Sequence, residues 1–165
     1  MSQTSSNPSE ERSVRDIRGV LIQVAGARLI LPNATIAEVL SYAAPEPFAN
    51  APDWLLGRIR WHGWQVPLVA FSQLAGIDQD KPGLGSKVVV LKALGGNPRA
   101  PYFAILTQGF PRLVTVADTG IALDEEQGEL PAAVHARVVH NDDLALLPDL
   151  QSLEARIVDA IAEAA

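Results

Sequence analysis

Apolar residues first fall into a strand rhythm at Val20, Ile22 and Val24, which alternate with Leu21 and Gln23 as in a strand buried mostly on one face. Ala25-Gly26-Ala27 supplies a turn and Arg28 to Leu31 returns. Pro32 has no N–H to give a ladder and ends this hairpin. Ile36-Ala37-Glu38-Val39-Leu40 is a short mixed segment, and residues 43–53, with prolines at 45, 47 and 52, read as an extended loop. Trp54 to Gly57 lead into a second pair of strands, in which 58–61 and 65–69 flank His62-Gly63-Trp64; Gly63 permits the positive φ of a tight turn. Phe71 to Gly76 fits one helical turn, and 77–86 reads as a connector. Strands are predicted again at 87–94, 102–106 and 112–116, and 117–132 reads as a loop rich in Asp, Glu and Gly. Ala136 to Val139 and Leu144 to Leu147 flank the turn His140-Asn141-Asp142-Asp143. Leu150, Leu153, Ile157 and Ile161 then recur at helical spacing, which predicts a C-terminal helix over 149–163. Residues 1–16 are polar and Ser-rich, with no apolar period, and are expected to form a flexible tail.

The order of elements repeats. At a constant offset of 79, residues 58–74 lie over 137–153, so that Arg58 meets Arg137, Ile59 meets Val138, Phe71 meets Leu150 and Leu74 meets Leu153. Few residues are identical; the shared feature is strand, polar turn, apolar strand and helix start. Two units of short strands without long helices between them predict a mainly β fold of two small barrels, divided near 77–86.

Composition narrows the function. In 165 residues, 48% are hydrophobic, enough for a proper core, and a globule of this length buries about 70% of its unfolded surface. The net charge of −6, with three scattered Lys, argues against a nucleic-acid partner, which demands clustered cations. The absence of cysteine excludes a disulfide framework, a thiolate metal site and a Cys nucleophile. No stretch reaches the roughly 18 apolar residues of a membrane span, and the N-terminal residues lack the apolar core of a signal peptide, so a cytoplasmic protein without direct membrane insertion is expected.

Candidate chemistry is sparse. There is no G-x-S-x-G elbow and no phosphate loop. The acidic run Asp124, Glu125, Glu126 and Glu129 does not have the spacing of a calcium loop. His62 and His140 both fall in turns on this reading and are the residues a small β-barrel enzyme would use; exposed turn histidines are the plainer account. No catalytic residue, metal ligand or cofactor site is therefore expected. Binding has better candidates: all three tryptophans, Trp54, Trp61 and Trp64, stand within eleven residues, and tryptophan is both a core residue and an interface anchor. Alternation puts Trp61 on the face of Ile59, and at least one of the three is expected at a partner surface.

Ile36-Ala37-Glu38-Val39-Leu40, the proline loop after it, and the block from Trp54 to Val69 resemble a CheW-like domain over residues 17–155, most specifically at 54–69. That family carries a Val-x-Glu-Val/Ile segment, a Gly-x-Val/Ile-Asn-Leu-Arg-Gly turn and an apolar strand through a proline. Here Asn-Leu-Arg-Gly is replaced by Arg60-Trp61-His62-Gly63, and the acidic residue after the strand by Ala70. The chain thus looks like a divergent member, similar to accessory coupling proteins of pilus (twitching) chemosensory systems. The resemblance implies two five-stranded SH3-like barrels and a non-catalytic adaptor. Its implied partners are a chemoreceptor cytoplasmic tip, docking between the barrels, and the regulatory domain of a CheA-type histidine kinase, meeting barrel faces and edges. It carries receptor contact onto Ile36 and Glu38 and places His62 where the family has its functional arginine. Gly57 is the glycine that opens the strand, and Leu40, Arg60, Trp61 and Trp64 complete the expected interaction set. Imidazole lacks the guanidinium fork, so His62 implies either pH-dependent receptor binding or a modulator that binds one partner alone.

Overall fold

The computed structural model describes residues 17–116, 121–123 and 128–164; the expected tail at 1–16 and the acidic positions 124–126 lie outside them. The elements run β1 (Ile17–Val24), β2 (Ala27–Pro32), β3 (Ile36–Ser41), β4 (Leu55–Trp61), β5 (Trp64–Val69), α1 (Phe71–Ala75), β6 (Lys87–Lys92) and β7 (Tyr102–Thr107). They continue with β8 (Arg112–Val116), β9 (Ile121–Leu123), β10 (Val134–His140), β11 (Asp143–Pro148) and α2 (Leu150–Ala164). The strands form two sheets, in the orders β8-β1-β2-β11-β10-β9 and β3-β6-β7-β5-β4.

These are two SH3-like barrels whose strands interleave along the chain. The sheets share one arrangement. In each, two antiparallel pairings (β8·β1·β2 and β3·β6·β7) are followed by a parallel contact (β2·β11 and β7·β5) and a final antiparallel hairpin. The connector at 77–86 does not divide them, because β6 and β7 beyond it pair back onto β3 and β5. The division falls instead after β2 and before β8, so the first hairpin belongs with the C-terminal strands. One barrel also carries a sixth strand, β9, inside the segment read from the sequence as loop.

The offset of 79 holds at the level of single hydrogen bonds. Leu55 N–H donates to Pro52 O at 3.1 Å and Val134 N–H to Pro131 O at 3.2 Å; Ala70 N–H donates to Trp54 O and Asp149 N–H to Ala133 O, both at 2.8 Å. A bulge sits at Leu55/Gly57 in β4 and at Val134/Ala136 in β10. Both hairpins turn through two residues of positive φ, His62 (47°) with Gly63 (80°), and Asn141 (50°) with Asp142 (67°), the pair of left-handed residues that a two-residue hairpin of this twist demands.

Each sheet is apolar on both faces. Val20, Ile22, Val24, Leu29 and Leu31 join Val69, Val89, Leu91, Phe103 and Ile105 in a core shared between the barrels. Leu21 and Ile30 point the other way, into the small core of their own barrel, while Val66, Leu68, Val88, Val90 and Leu106 fill the second. β1 is therefore buried on both faces rather than one: a sheet curled into a barrel has an interior as well as an outer contact. Helix α2 lays Leu153, Ile157 and Ala160, one stripe at helical spacing, into the shared core. Asp149 caps it, accepting the Ser152 N–H on Oδ1 at 3.0 Å.

A buried polar cluster ties the barrels together. Asp80 accepts the N–H of Ala25, in the β1–β2 turn, at 3.3 Å and the N–H of Ser72, in α1, at 3.1 Å. The fully buried Ser72 hydroxyl donates to Ala25 O at 2.6 Å. Burial, helped by the nearby Asp78 carboxylate, holds the Asp80 carboxyl above its ordinary value near 3.8, against the lowering effect of the backbone N–H groups of Ala25, Ser72 and Gln73.

Candidate protein-interaction site

β3 and β4 are the two edges of the second sheet, and the site residues expected from the sequence lie on them or on the turn after β4, except Trp64, which opens β5. His62 Nε2 stands 3.4 Å from Glu38 Oε1, so this pair spans the seam between the two edges. The Trp61 ring meets His62 edge-on at 4.6 Å between centroids and Tyr102 at 4.7 Å, and Trp64 meets Tyr102 at 6.1 Å. Two-residue turn geometry pairs Trp61 with Trp64 across the hairpin, and β7, adjacent to β5, brings Tyr102 beside them. The result is a small aromatic surface with an acid–imidazole pair at its border.

The expected residues divide by exposure. Arg60, His62 and Trp64 are exposed, Trp64 to 39%. Glu38 is half-buried with its carboxylate at the surface. Ile36 packs on the shared core, while Leu40 and Trp61 pack on the core of the second barrel, so these three mostly support the edge. Trp54, the third tryptophan, packs on the shared core. Gly57 is buried at φ 148°, and a Cβ there would overlap the Glu46 carbonyl oxygen. That closeness comes from the proline loop pairing onto β4, where Glu46 and Arg58 exchange backbone hydrogen bonds at 2.9 and 2.8 Å. Gly57 therefore shapes the edge without offering it a side chain. Sequence reasoning missed Tyr102, whose place is set by pairing between distant strands, and Arg58, which stacks over the Phe48 ring at 4.7 Å.

The two histidines of the enzyme alternative do not converge. His140 is 5% exposed, a correction to its expected place in an open turn. The turn proper is Asn141-Asp142, so His140 ends β10 opposite Asp143 and corresponds to Trp61, not to His62. It lies in the other sheet from His62. Among the described residues no three of His, Asp and Glu stand together as a metal site, and the clefts described along α2, beside the β1–β2 turn and beside Phe110 are lined by no histidine.

The description "CheW-like domain" matches residues 18–157. This chain belongs to the CheW-like domain family. The CheW-like fold is seen directly in the scaffolding protein TtCheW from Thermoanaerobacter tengcongensis. Its crystal structure is similar to this chain with a TM-score of 0.68 at 14% identity, over 80% of this chain and 88% of that one. No curated protein matches the sequence. Membership of the CheW-like family supports a chemotaxis coupling role of a general kind. Among the described residues of this CheW-like chain, no helix is long and apolar enough to cross a membrane.

Proposed function

We propose that this CheW-like protein is a cytoplasmic chemosensory adaptor that joins a chemoreceptor's cytoplasmic tip to the regulatory domain of a CheA-type histidine kinase. The output is read as twitching motility through type IV pili, on the divergence of the Arg60-Trp61-His62-Gly63 turn from the family's sequence. The observation that carries the reading is the exposed edge of the second barrel, where Glu38, His62 and Trp64 border one aromatic surface within a match to the family over 18–157. Glu38 and His62 are the receptor-facing pair, and Arg60 and Trp64 extend the surface. The bulk energy of such an interface comes from a desolvated aromatic anchor, with the rim charges setting orientation.

Separate titrations of a receptor-tip helical hairpin and of the kinase regulatory domain test this. Saturable binding of both at micromolar concentration, with no turnover, is the expected result; failure of both would sink the adaptor reading. One observation favours a second reading with the same fold. The Glu38 carboxylate is engaged by His62 of its own chain rather than held beside a guanidinium fork, which fits a modulator that binds one partner. Binding of the kinase domain alone would select it.

A further inference from the structure

A cleft of about 250 Å³ opens on the flank of α2, between that helix and strands β4, β5 and β7. Its floor is apolar: Phe48, Pro67, Phe103, Ile157 and Ile161 line it. Its rim carries two guanidinium groups, Arg58 and Arg99, on a chain whose net charge is −6. The rim is braced. Glu154, the acid at the cleft, accepts the N–H groups of Leu94 and Gly95, both at 3.0 Å, so its two oxygens are occupied by backbone donors. Asn97 accepts the Arg99 N–H on its side chain at 3.0 Å and the Ala100 N–H on its carbonyl at 3.1 Å, which fixes the loop that presents Arg99.

Among the described residues neither guanidinium has a close carboxylate; that of Arg58 stacks over the Phe48 ring at 4.7 Å, which holds it at the cleft. Arg58 Nη2 reaches only 4.0 Å from the exposed Glu46 carboxylate, and Arg58 Nε is buried without an acceptor. Arg99 is exposed and makes no ion pair among the described residues. A buried donor without an acceptor is costly, and an arginine fork is matched by a carboxylate. The volume falls just below the usual range of small-ligand sites, about 300–1,000 Å³, and so suits a compact ligand of about ten non-hydrogen atoms. The negative charge of the whole chain opposes a large acidic partner over long range far more than a small monoanion.

We infer that this cleft binds a compact aromatic monocarboxylate, ring on the apolar floor and carboxylate between Arg58 and Arg99. The cleft adjoins the adaptor surface at Tyr102, which belongs to both, but its assignment does not rest on the adaptor reading. A free ligand of this chemistry would reach α2 and the 93–101 loop, and so give the protein a small-molecule input besides its protein contacts.

Titration of the full chain with phenylacetate, followed by two-dimensional amide NMR, tests the assignment. Phenylacetate is expected to shift amides of 97–103 and 157–161 saturably, with Kd of about 1 mM or tighter. Phenylacetamide, of the same shape without charge, is expected to bind at least about 10-fold more weakly, and Arg99→Gln to weaken phenylacetate about 3- to 10-fold. Arg58→Lys, which keeps the charge and the fold but removes the fork, is expected to weaken it as well. Non-saturable shifts, shifts centred elsewhere, equal binding of the amide, or unchanged affinity in both variants would each overturn the site.

Discussion

At the scale of single residues, two positions carry strain or burial that the sequence does not display. Gly57 was legible as a family glycine, but the reason for it was not, because the atom it must avoid, Glu46 O, is brought there by the proline loop pairing onto β4. Gly57→Ala is expected to cost about 2 kcal/mol or more, from a Cβ overlapping backbone at positive φ, and to shift the loop. Urea denaturation measures it, and a stability equal to the parent's would show that the loop yields freely. In the sequence Asp80 reads only as one residue of the connector 77–86; the approach of α1 to the β1–β2 turn makes it a bridge. Asp80→Ala leaves two buried N–H groups without an acceptor and is expected to cost about 1–3 kcal/mol. Burial raises this carboxyl, so the folded chain holds its proton more tightly than the unfolded chain does. Its contribution is full below the ordinary value near 3.8 and is lost as pH rises through the higher folded value. The cost of Asp80→Ala should therefore shrink as pH rises through that window, in denaturation series run in parallel on parent and variant.

At the scale of elements, hairpins and the last helix were read well because their signals are local. The turn residues His62-Gly63 and Asn141-Asp142 and the helical spacing of Leu150, Leu153, Ile157 and Ile161 each lie within a few residues of what they organise. The repeat at offset 79 was legible too, since it joins the element β4–β5–α1 to β10–β11–α2 without reference to anything distant. What failed was the grouping of strands. β1 pairs with β8, as far along the chain as Ile17 from Val116, and β2 with β11, and no periodicity announces the parallel contact of Leu29 with Leu146 that joins the latter. The C-terminal helix makes this arrangement testable. Leu153 is fully buried against both barrels, so Leu153→Ala is expected to cost about 2–5 kcal/mol and to unfold the chain in one transition rather than two. Separate melting of one barrel, seen by calorimetry, would show that the shared core does not couple them.

At the scale of the whole molecule, the question is which surface a partner meets. Three tryptophans in eleven residues pointed to a partner surface without saying which of them faces it. Folding sorts them: Trp54 and Trp61 turn toward cores, and Trp64 remains exposed beside Tyr102. An anchor residue should contribute much to binding and little to the free fold. Trp64→Ala loses one partly exposed aromatic contact and is expected to change stability by about 1 kcal/mol or less. If Trp64 is the anchor of the adaptor edge, the same variant should weaken the kinase regulatory domain or the receptor tip about 30-fold, the loss typical of a central interface aromatic. His62→Arg provides the opposite arm. It restores the guanidinium fork next to Glu38 on the seam, and is expected to tighten receptor binding about 3- to 10-fold while leaving kinase binding unchanged. Calorimetric titration of both partners against both variants separates the contributions. Loss at Trp64 with gain at His62 places the two contacts side by side on one barrel edge, whereas indifference of both partners to both variants would move the interface off this edge altogether.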